Sequence, residues 1–343
     1  MVRNSLGRLL PETFNGQPVI PYLDPFSQQP SGDHATRPLR RINPRNDTLH
    51  TNLHAAVAAA ELKDGMCIAT HHHLRNGDAL LGAVVREIDA LGLRDIKIAT
   101  SSIHPVHAEL IPYIEKGVIG GFECGVNGLI GEQISTGELH CPVTVRTHGG
   151  RPRAVMSGQI QIDAAFIAAP TCDCYGNMTG AFGPSACGSL GYAHTDARYA
   201  KKVIAVTDNL VPYPASPIAI QQTLVDYVVK VESLGDPSKI VSTTTRITRD
   251  PVGLQIAKYA AQVIEVSGLL QDGFSFQTGS GGISLAVADQ VRQKMQQQNI
   301  KGSFGCGGIT GYFVDMLEEG LFRTLFDVQC FDLKAVESIG KNP

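Results

Sequence analysis

The sequence predicts an α/β fold made of two homologous domains with mostly parallel sheets, and three observations support this prediction. Short, nearly continuous apolar runs alternate with amphipathic stretches, which is typical of parallel strands covered by helices on both faces. A block that begins near residue 53 recurs near residue 256. Glycine makes up 36 of 343 residues without a collagen-like period, which suits strand-end loops that approach a ligand closely.

The chain divides into three predicted regions. Residues 1–46 hold seven prolines and show no helical or strand period, so we expect an N-terminal arm that lies over the surface or over a partner. The first domain is predicted over 47–245 and the start of the second over 246–343.

The elements of the first domain follow in order from residue 52. Helices are predicted at LHAAVAAAEL, in the segment that places Leu80, Val84, Ile88 and Leu91 on one face, and near 105–116. The predicted strands are MCIAT (66–70), IKIAT (96–100), VTVRT (143–147), IDAAFIAA (162–169), KKVIAVT (201–207) and YVVKVE (227–232).

The second domain is predicted from an internal repeat. Asp64-Gly65 corresponds to Asp272-Gly273, and Gly117 corresponds to Gly320. A separation of roughly 200 residues is far too long for a solenoid and indicates two homologous domains that face each other across a ligand crevice. The first copy runs on well past its EKGVI, whereas little follows EEGLF in the second, so the second domain is expected to be incomplete in this chain.

Composition excludes several classes of protein. A net charge of −3 argues against nucleic acid as the main partner. The sequence shows neither an apolar run of about 20 residues nor a signal-peptide core, so we expect no membrane partner. The eight cysteines are scattered, and we expect them to be thiols in a cytoplasmic protein.

The loop HHHLRNGD (71–78) is the first candidate site, because it is predicted to follow a strand and to open a helix. Arg75 can hold a carboxylate bidentately, His71 and His72 can donate hydrogen bonds, and Gly77 lets the backbone approach a ligand. The alternative is a strand-end turn with solvated histidines. Asp78 is expected to act only as a helix N-cap.

Two glycine-rich segments of the second domain are the next candidates. GSGGI and GCGGI are each expected to form a turn between a strand and a helix, where backbone N–H groups can bind oxyanions. We therefore predict an acyl-binding role, against the alternative that the glycines only allow positive φ. The glycines concerned are Gly279, Gly281, Gly282, Gly307 and Gly308.

No protein metal site is predicted. The side chains of successive residues in 71–73 point apart, and Cys172 and Cys174 with His104 and His107 lack the paired C-x2-C spacing of closed zinc sites. A metal hydrolase remains an alternative that stoichiometric bound zinc would revive.

Several motifs in order give the chain a specific resemblance. These motifs are GEQISTGEL, CGSLGYA (187–193), YPASPIA (213–219), QTGSGGISLAV (277–287) and SFGCGGITG (303–311). Together they make the chain resemble the citrate lyase alpha-chain family, within the coenzyme A-transferase superfamily, from about residue 15 to the end. The resemblance implies two coenzyme A-transferase-like domains.

The resemblance also implies an activity. Members of this family act as citrate–acyl carrier transferases within a citrate lyase complex, in which acetyl thioester and citrate give citryl thioester and acetate without ATP. The implied partners are a beta lyase subunit and a gamma acyl carrier subunit in an oligomer. No tightly bound cofactor is implied, because the acyl donor carries a coenzyme A-like prosthetic group.

One departure from the superfamily bears on the mechanism. Its covalent members use a glutamate nucleophile in the second domain, where this chain reads DVQCFD (327–332). The departure favours direct exchange through a mixed anhydride. In the first copy, Asn127 lies at the equivalent place in ECGVNG and is a candidate substrate contact, whereas Glu123 is not expected to be a nucleophile. Another coenzyme A-transferase, for instance for citramalate, and a non-catalytic assembly module remain alternatives.

Overall fold

The computed structural model describes residues 1–4, 6–14, 17–21, 48–71, 73–240, 246–279 and 281–342. The chain forms two units, Met1–Ala35 and Thr36–Pro343. The described part of the first unit contains two antiparallel hairpins. They pair β1 (Val2–Arg3) with β2 (Leu9–Leu10) and β3 (Thr13–Phe14) with β4 (Gln17–Pro18). Residues 22–47 lie outside the described residues, so the predicted arm and the domain limits stay predictions.

The larger unit contains a first lobe, defined here as residues 48–240. Its central sheet has seven parallel strands in the order β5-β16-β14-β11-β6-β7-β9. The strands of the lobe are β5 (Leu49–His50), β6 (Cys67–Ala69), β7 (Ile96–Ile98), β8 (Ser102–Ile103), β9 (Ile119–Phe122), β10 (Gly125–Val126), β11 (Ala164–Ala168), β12 (Thr171–Asp173), β13 (Met178–Thr179), β14 (Lys202–Thr207), β15 (Leu210–Val211) and β16 (Tyr227–Lys230).

Helices flank this sheet and bury its strands. Every residue of β11 is buried, as a central strand of a parallel sheet requires. The α-helices of the lobe are α1 (Leu53–Ala59), α2 (Leu80–Ala90), α3 (Ile111–Glu115), α4 (Gly128–Thr136), α5 (Gly150–Met156) and α6 (Ala193–Tyr199). Short 3-10 turns lie at Arg75–Gly77, Pro105–Leu110, Gln222–Leu224 and Pro237–Lys239.

A second lobe, residues 246–342, holds three parallel strands in the order β17-β18-β19. Asp250 and Asp332 begin two of its helices, since each carboxylate accepts a backbone N–H of the first helical turn. The elements are α7 (Pro251–Val266), β17 (Ser275–Gln277), α8 (Gly282–Gln298), β18 (Gly302–Ile309), α9 (Gly311–Glu318), β19 (Phe322–Cys330) and α10 (Leu333–Lys341).

The internal repeat predicted from the sequence is confirmed by equivalent contacts. In the first lobe, Asp64 Oδ1 accepts the N–H of Arg94 at 2.8 Å. In the second, Asp272 Oδ1 accepts the N–H of Lys301, also at 2.8 Å. The glycine after each aspartate has φ near +80°, which favours glycine. The strand order β6-β7-β9 of the first lobe therefore matches β17-β18-β19 of the second.

One predicted strand is wrong, and the edge strand β9 of the central sheet was not anticipated. VTVRT (143–147) forms only an isolated bridge between Val143 and Phe122, and Val145 is 73% exposed, so its apolar alternation does not reflect a buried face. The edge strand β9 reads IGGF, and its two glycines hid it because glycine is depleted in strands. The helix predicted near 105–116 divides into a 3-10 turn followed by α3.

The two lobes meet where the CGSLGYA segment contacts the end of β19. Ser189 Oγ donates to the carbonyl of Asp327 at 2.8 Å. Gly191 lies directly against the backbone of Val328, where a Cβ would overlap its atoms. This glycine therefore lets the end of β19 approach the first lobe, and the crevice is defined here as the region where the loop 71–78 faces Phe331. None of the described helices is both long and apolar enough to cross a bilayer.

We expect Gly191→Ala to lower the free energy of unfolding by about 1–3 kcal/mol, because the added methyl group must displace the backbone of β19. Chemical denaturation measures this change. Gly149→Ala is the matched control, since Gly149 has φ −76° and no atom within 4 Å of a built Cβ. Equal stability of the two variants would contradict the contact.

Candidate active site

The loop 71–78 leaves the carboxyl end of β6 and leads into α2, at the edge where parallel α/β sheets bind ligands. Arg75–Gly77 forms a single 3-10 turn within it. The side chain of Asn76 fastens this turn to the next loop, because its Oδ1 accepts the N–H of Val106 at 2.9 Å. The prediction of a strand-end loop that opens a helix is confirmed.

Asp78 and His107 form a buried pair beneath this loop. Asp78 Oδ2 lies 3.0 Å from His107 Nε2 and accepts the N–H of Leu81, in the first turn of α2, at 3.3 Å. The carboxylate thus contacts the helix start as an N-cap would, and it also ties the loop to the residues after β7. Both side chains are nearly inaccessible to solvent, so they position the loop and do not face a ligand.

Arg75 is the unusual charge of the site. Its φ of +56° places a non-glycine residue in the left-handed region, a strain that concentrates at functional sites. The guanidinium stacks on the ring of Phe331 from the second lobe, 4.9 Å from the centroid. Burial lowers the pKa of Arg75. Among the described residues no carboxylate pairs with it and no side-chain hydrogen bond is recorded for it.

The described imidazoles of the loop and that of His104 are neutral. Burial is the main cause that lowers the pKa of His73 to about 3 and the pKa of His104 to about 4, to which the charge of Arg75 contributes. Burial also lowers the pKa of His71 well below its ordinary value. Neutral imidazoles each keep one N–H donor for a carboxylate oxygen.

Three imidazole nitrogens in this region are buried without a hydrogen-bond partner among the described residues. They are His71 Nε2 and both ring nitrogens of His73. Buried polar atoms in native structures normally find a partner, so these orphaned atoms point to a polar ligand or water. His72, a predicted substrate contact, lies outside the described residues and stays a prediction.

The space beside Gly77 is taken by the protein itself. A Cβ built on Gly77 would overlap the carbonyl of Asp236, whose N–H also donates to the Gly77 carbonyl at 2.9 Å. The glycine accommodates close packing of this turn against the 3-10 turn at 237–239. The predicted role of Gly77 in ligand approach remains a prediction.

Asn127 lies in a neighbouring cavity of about 140 Å³ at the ends of β7 and β9. Its Nδ2 donates to Ser102 Oγ at 3.0 Å and to the carbonyl of Ile103 at 3.1 Å. The amide therefore holds two strand-end loops together. Its contact with substrate stays a prediction. The cavity is lined by Ser101, Ser102, Cys124, Gly125, Asn127, Arg146, Thr147, His148, Arg151 and Tyr192.

The arginines of this cavity are already paired. Arg151 is buried and makes a bidentate contact with Asp196, at 2.9 and 3.0 Å. Arg146 lies 3.2 Å from Glu123. Each positive charge therefore has a carboxylate of its own, in contrast to Arg75. This difference selects the Arg75 crevice as the stronger site for an anion.

Of the GSGGI segment, Gly279 and Gly281 lie between β17 and α8, where a turn was predicted, Gly282 begins α8, and residue 280 lies outside the described residues. Near Gly279 and Gly281 a built Cβ meets only the side chain of Ser284, whose hydroxyl oxygen lies 3.4 and 3.7 Å away, so this backbone is open to close approach. Gly282 instead packs against Arg246 and Thr248.

The prediction of a turn at GCGGI is wrong. The whole segment belongs to β18, which continues to Ile309. Gly307 has φ +110° and lies against Gln277, and a Cβ on Gly308 would overlap the ring of Phe331. The segment is a strand because its partner β19 pairs along its length, with a register irregularity at the two glycines. The acyl-binding role of these glycines stays a prediction.

Asp327 occupies the region where the superfamily's nucleophile is expected, and its carboxylate is bound by the protein. Oδ1 accepts the N–H groups of Ile309 at 3.2 Å and Gln329 at 2.9 Å, and Oδ2 accepts the thiol of Cys330 at 3.0 Å. Burial raises the pKa of Asp327 to about 6 against the effect of these hydrogen bonds. The group supports the β18–β19 edge.

The described residues contain no group of three or more side chains of the kinds that bind metals. All eight cysteines are free thiols. Cys172 is buried, and burial raises the pKa of its thiol, which argues against a reactive role.

Two residues of the crevice were not predicted from the sequence. His73 belongs to the loop that was singled out, but its burial depends on packing that a histidine run does not reveal. Phe331 lies far from Arg75 in the chain. Its position directly after a strand of the repeat was the one signal available.

A sequence model of the family "Citrate lyase, alpha subunit (CitF)" matches residues 46–343. A citrate lyase alpha chain of Haemophilus influenzae is 43% identical over 320 residues, which cover 90% of this chain and 64% of that protein. The alpha chain of Klebsiella pneumoniae is 45% identical over 293 residues, which cover 85% and 58%. The chain thus spans about six tenths of the length of these relatives.

Solved structures agree with these sequence relatives. A putative alpha subunit of citrate lyase from Streptococcus mutans, determined in complex with citrate, superposes with a TM-score of 0.92 at 44% identity. The match covers 99% of this chain and 67% of that one. A Pseudomonas malonate decarboxylase hetero-tetramer has a chain that matches with a TM-score of 0.62 at 17% identity, over 83% of this chain and 52% of its own. The latter likeness concerns the fold alone.

The raised pKa of Asp327 predicts a pH dependence of stability. The ordinary pKa of about 3.9 applies to the unfolded chain, so the folded state binds the proton more tightly, and the free energy of unfolding falls as pH rises from about 4 to 6. The loss is at most about 3 kcal/mol. Denaturation at several pH values should show that Asp327→Asn removes this part of the slope. Glu138→Gln, which removes an exposed carboxylate, is the control, and an unchanged slope in Asp327→Asn would contradict the assignment.

Proposed function

Because this chain belongs to the citrate lyase alpha subunit family, we propose that it carries the citrate–acyl carrier transferase activity of that enzyme. In the proposed reaction, acetyl-acyl carrier protein and citrate give citryl-acyl carrier protein and acetate. The chain spans part of its relatives' length, so the activity, the substrates and the partners are all part of the proposal.

The proposed chemistry proceeds through a mixed anhydride. A citrate carboxylate oxygen attacks the acetyl carbonyl carbon, forms the new C–O bond and expels the carrier thiolate. The thiolate then attacks the citryl carbonyl of the anhydride, and acetate leaves with the shared oxygen. One thioester replaces another, so the energy of the thioester bond is conserved. The anhydride must be shielded from water, which a crevice between two lobes can provide.

The observation that supports this function most directly is the uncompensated charge of Arg75. A half-buried guanidinium without a carboxylate partner among the described residues lacks the counter-charge that buried cations normally have. A carboxylate of citrate supplies it. His71 and His73 belong to the same loop, their rings lie 4.3 Å apart, and their unpartnered nitrogens can bind further carboxylate oxygens. We propose that Arg75 and these two imidazoles hold citrate.

Direct exchange is favoured over an enzyme-bound thioester. The segment 327–332 contains no glutamate. Its buried Asp327 is engaged by two backbone N–H groups and a thiol, which leaves it poorly placed to attack an acyl group.

The acyl thioester is proposed to approach the turn at Gly279 and Gly281. There the backbone has open space, and α8 begins directly after it without a side-chain cap. The uncapped N–H groups of a long helix favour a developing oxyanion. The space at Gly282, Gly307 and Gly308 is filled by neighbouring protein atoms.

The proposed assembly follows the family. The partners are a gamma subunit that carries the coenzyme A-like prosthetic group of the acyl donor and a beta subunit that cleaves the citryl thioester. No cofactor is proposed to bind tightly to this chain itself. Oligomeric assembly and a cytoplasmic location remain predictions.

Acyl exchange tests the function. The protein is mixed with acetyl-acyl carrier protein and isotope-labelled citrate in the presence of a chelator, and citryl thioester is sought by mass spectrometry. Product establishes the transferase without a required metal, and a parallel reaction with citramalate tests the alternative substrate. Product only from a chain extended to the length of its relatives would show that the site needs further residues. No product from either chain would overturn the proposal in favour of an assembly module.

Arg75→Ala is expected to raise the half-saturating citrate concentration about 10- to 100-fold, since hydrogen bonds between charged groups contribute about 1.5–3 kcal/mol. The half-saturating concentration of the acyl donor should change by no more than about twofold, because the charge serves the carboxylate. Steady-state kinetics measures both. Arg94→Ala, which removes an exposed arginine at the amino end of β7, is the control. An unchanged citrate dependence would remove Arg75 from the site.

A further inference from the structure

We propose that Phe331 is a positioning residue, which holds the Arg75 guanidinium in the place where it receives a substrate carboxylate. The inference rests on the proposed function, because it deepens the role given there to Arg75. It assigns to the second lobe a specific part in an anion site whose charged group belongs to the first lobe.

Apart from the Phe331 ring, no described polar or charged group orders the side chain of Arg75. Among the described residues its guanidinium makes no hydrogen bond or ion pair. It makes a cation–π contact with the ring of Phe331, 4.9 Å from the centroid. A free arginine side chain loses rotamer entropy when a ligand immobilises it. A cation already stacked on an aromatic face has lost part of that freedom before the ligand arrives.

Phe331, in contrast, is fixed from several sides. Its N–H donates to the carbonyl of Ile309 at 2.8 Å. The next residue, Asp332, begins α10 and accepts the N–H of Ala335 at 3.0 Å. The ring lies directly on Gly308, where no Cβ could be accommodated. A rigid ring therefore supports a guanidinium that has no hydrogen-bond or ion-pair partner among the described residues.

This arrangement explains why residue 308 is a glycine. Any side chain there would push the ring away from Gly308 and hence change its position relative to Arg75. The contact between Ser189 and Asp327 meanwhile fixes the end of β19 on the first lobe. The ring thus reaches Arg75 only when the lobes are docked as they are.

The competing interpretation is that Phe331 only packs the second lobe. Under that interpretation its loss changes stability and leaves citrate affinity unchanged. Under the positioning interpretation its loss weakens citrate binding specifically, and an aromatic replacement restores it. The two interpretations therefore differ in a measurable quantity other than stability.

The test measures citrate affinity by titration calorimetry for Phe331→Leu, Phe331→Tyr and Gly308→Ala in the 343-residue chain. Phe331→Leu and Gly308→Ala should bind citrate roughly two- to tenfold more weakly, the cost of ordering one free side chain on binding. Phe331→Tyr should stay within about twofold of the parent, because it keeps the ring. Phe326→Leu is the matched control, because Phe326 is an exposed aromatic residue in the middle of β19.

A second readout reports on Arg75 itself. The ring current of Phe331 shifts the proton on Arg75 Nε, which nitrogen-15 correlation spectra can follow. The shift should disappear in Phe331→Leu, persist in Phe331→Tyr, and be unaffected by Phe326→Leu. Thermal unfolding of each variant establishes that the chain is folded at the temperature of the measurement.

The outcomes separate this inference from the function on which it rests. If Arg75→Ala weakens citrate binding and Phe331→Leu does not, the positioning role is overturned and the proposed function stands. If neither the parent chain nor an extended chain binds citrate, or if Arg75→Ala leaves binding unchanged, the proposed Arg75 site fails and the positioning role fails with it. Weaker binding in Phe331→Leu, with recovery in Phe331→Tyr, supports both.

Discussion

The close contact between the CGSLGYA segment and the end of β19 is the constraint on which the site depends. Parallel strands place their carboxyl ends along one edge of a sheet, so each lobe by itself presents a row of strand-end loops. The glycine backbone at 191 lets the second lobe approach within van der Waals range of the first, and Ser189 fixes the approach with a hydrogen bond. As a consequence, Phe331 of the second lobe contacts the loop after β6 in the first lobe. Contacts within the second lobe alone could not place it there.

The electrostatics of the crevice follow from which charges are paired. Arg151 and Arg146 each have a carboxylate. Removal of one partner from the buried Arg151–Asp196 pair is costly, so these arginines serve to hold strand-end loops. Arg75 is stacked on an aromatic ring without such a carboxylate among the described residues. The imidazoles of His73 and His104 are uncharged because burial disfavours their protonated form. A single cation with neutral donors suits an anionic ligand that must bind and leave repeatedly.

Sequence reasoning succeeded where local pattern and local structure coincide. The loop 71–78, the helical face that includes Leu80, and the repeated Asp-Gly turns were predicted because period and turn chemistry act over a few residues. It failed where pairing with another segment of the chain decides the local structure. VTVRT alternates like a strand but lies beyond the edge strand β9, and GCGGI has the composition of a turn but is drawn into β18 by pairing with β19. Glycine composition alone cannot distinguish a loop open to ligand from a strand packed under an aromatic ring.

The amino-acid sequence by itself determined the α/β class, the two related lobes, the family resemblance and the loop that carries the unpaired arginine. These properties reside in periodicity, in recurrence along the chain and in short motifs, all of which can be seen without coordinates. Only the tertiary structure decided which charges are compensated, which glycines are filled by protein atoms and which aromatic ring meets Arg75. The contact between Arg75 and Phe331 joins residues that lie more than 200 positions apart in the chain. The energies of all these contacts depend on burial and distance, which arise only when the chain is folded and both lobes are in contact.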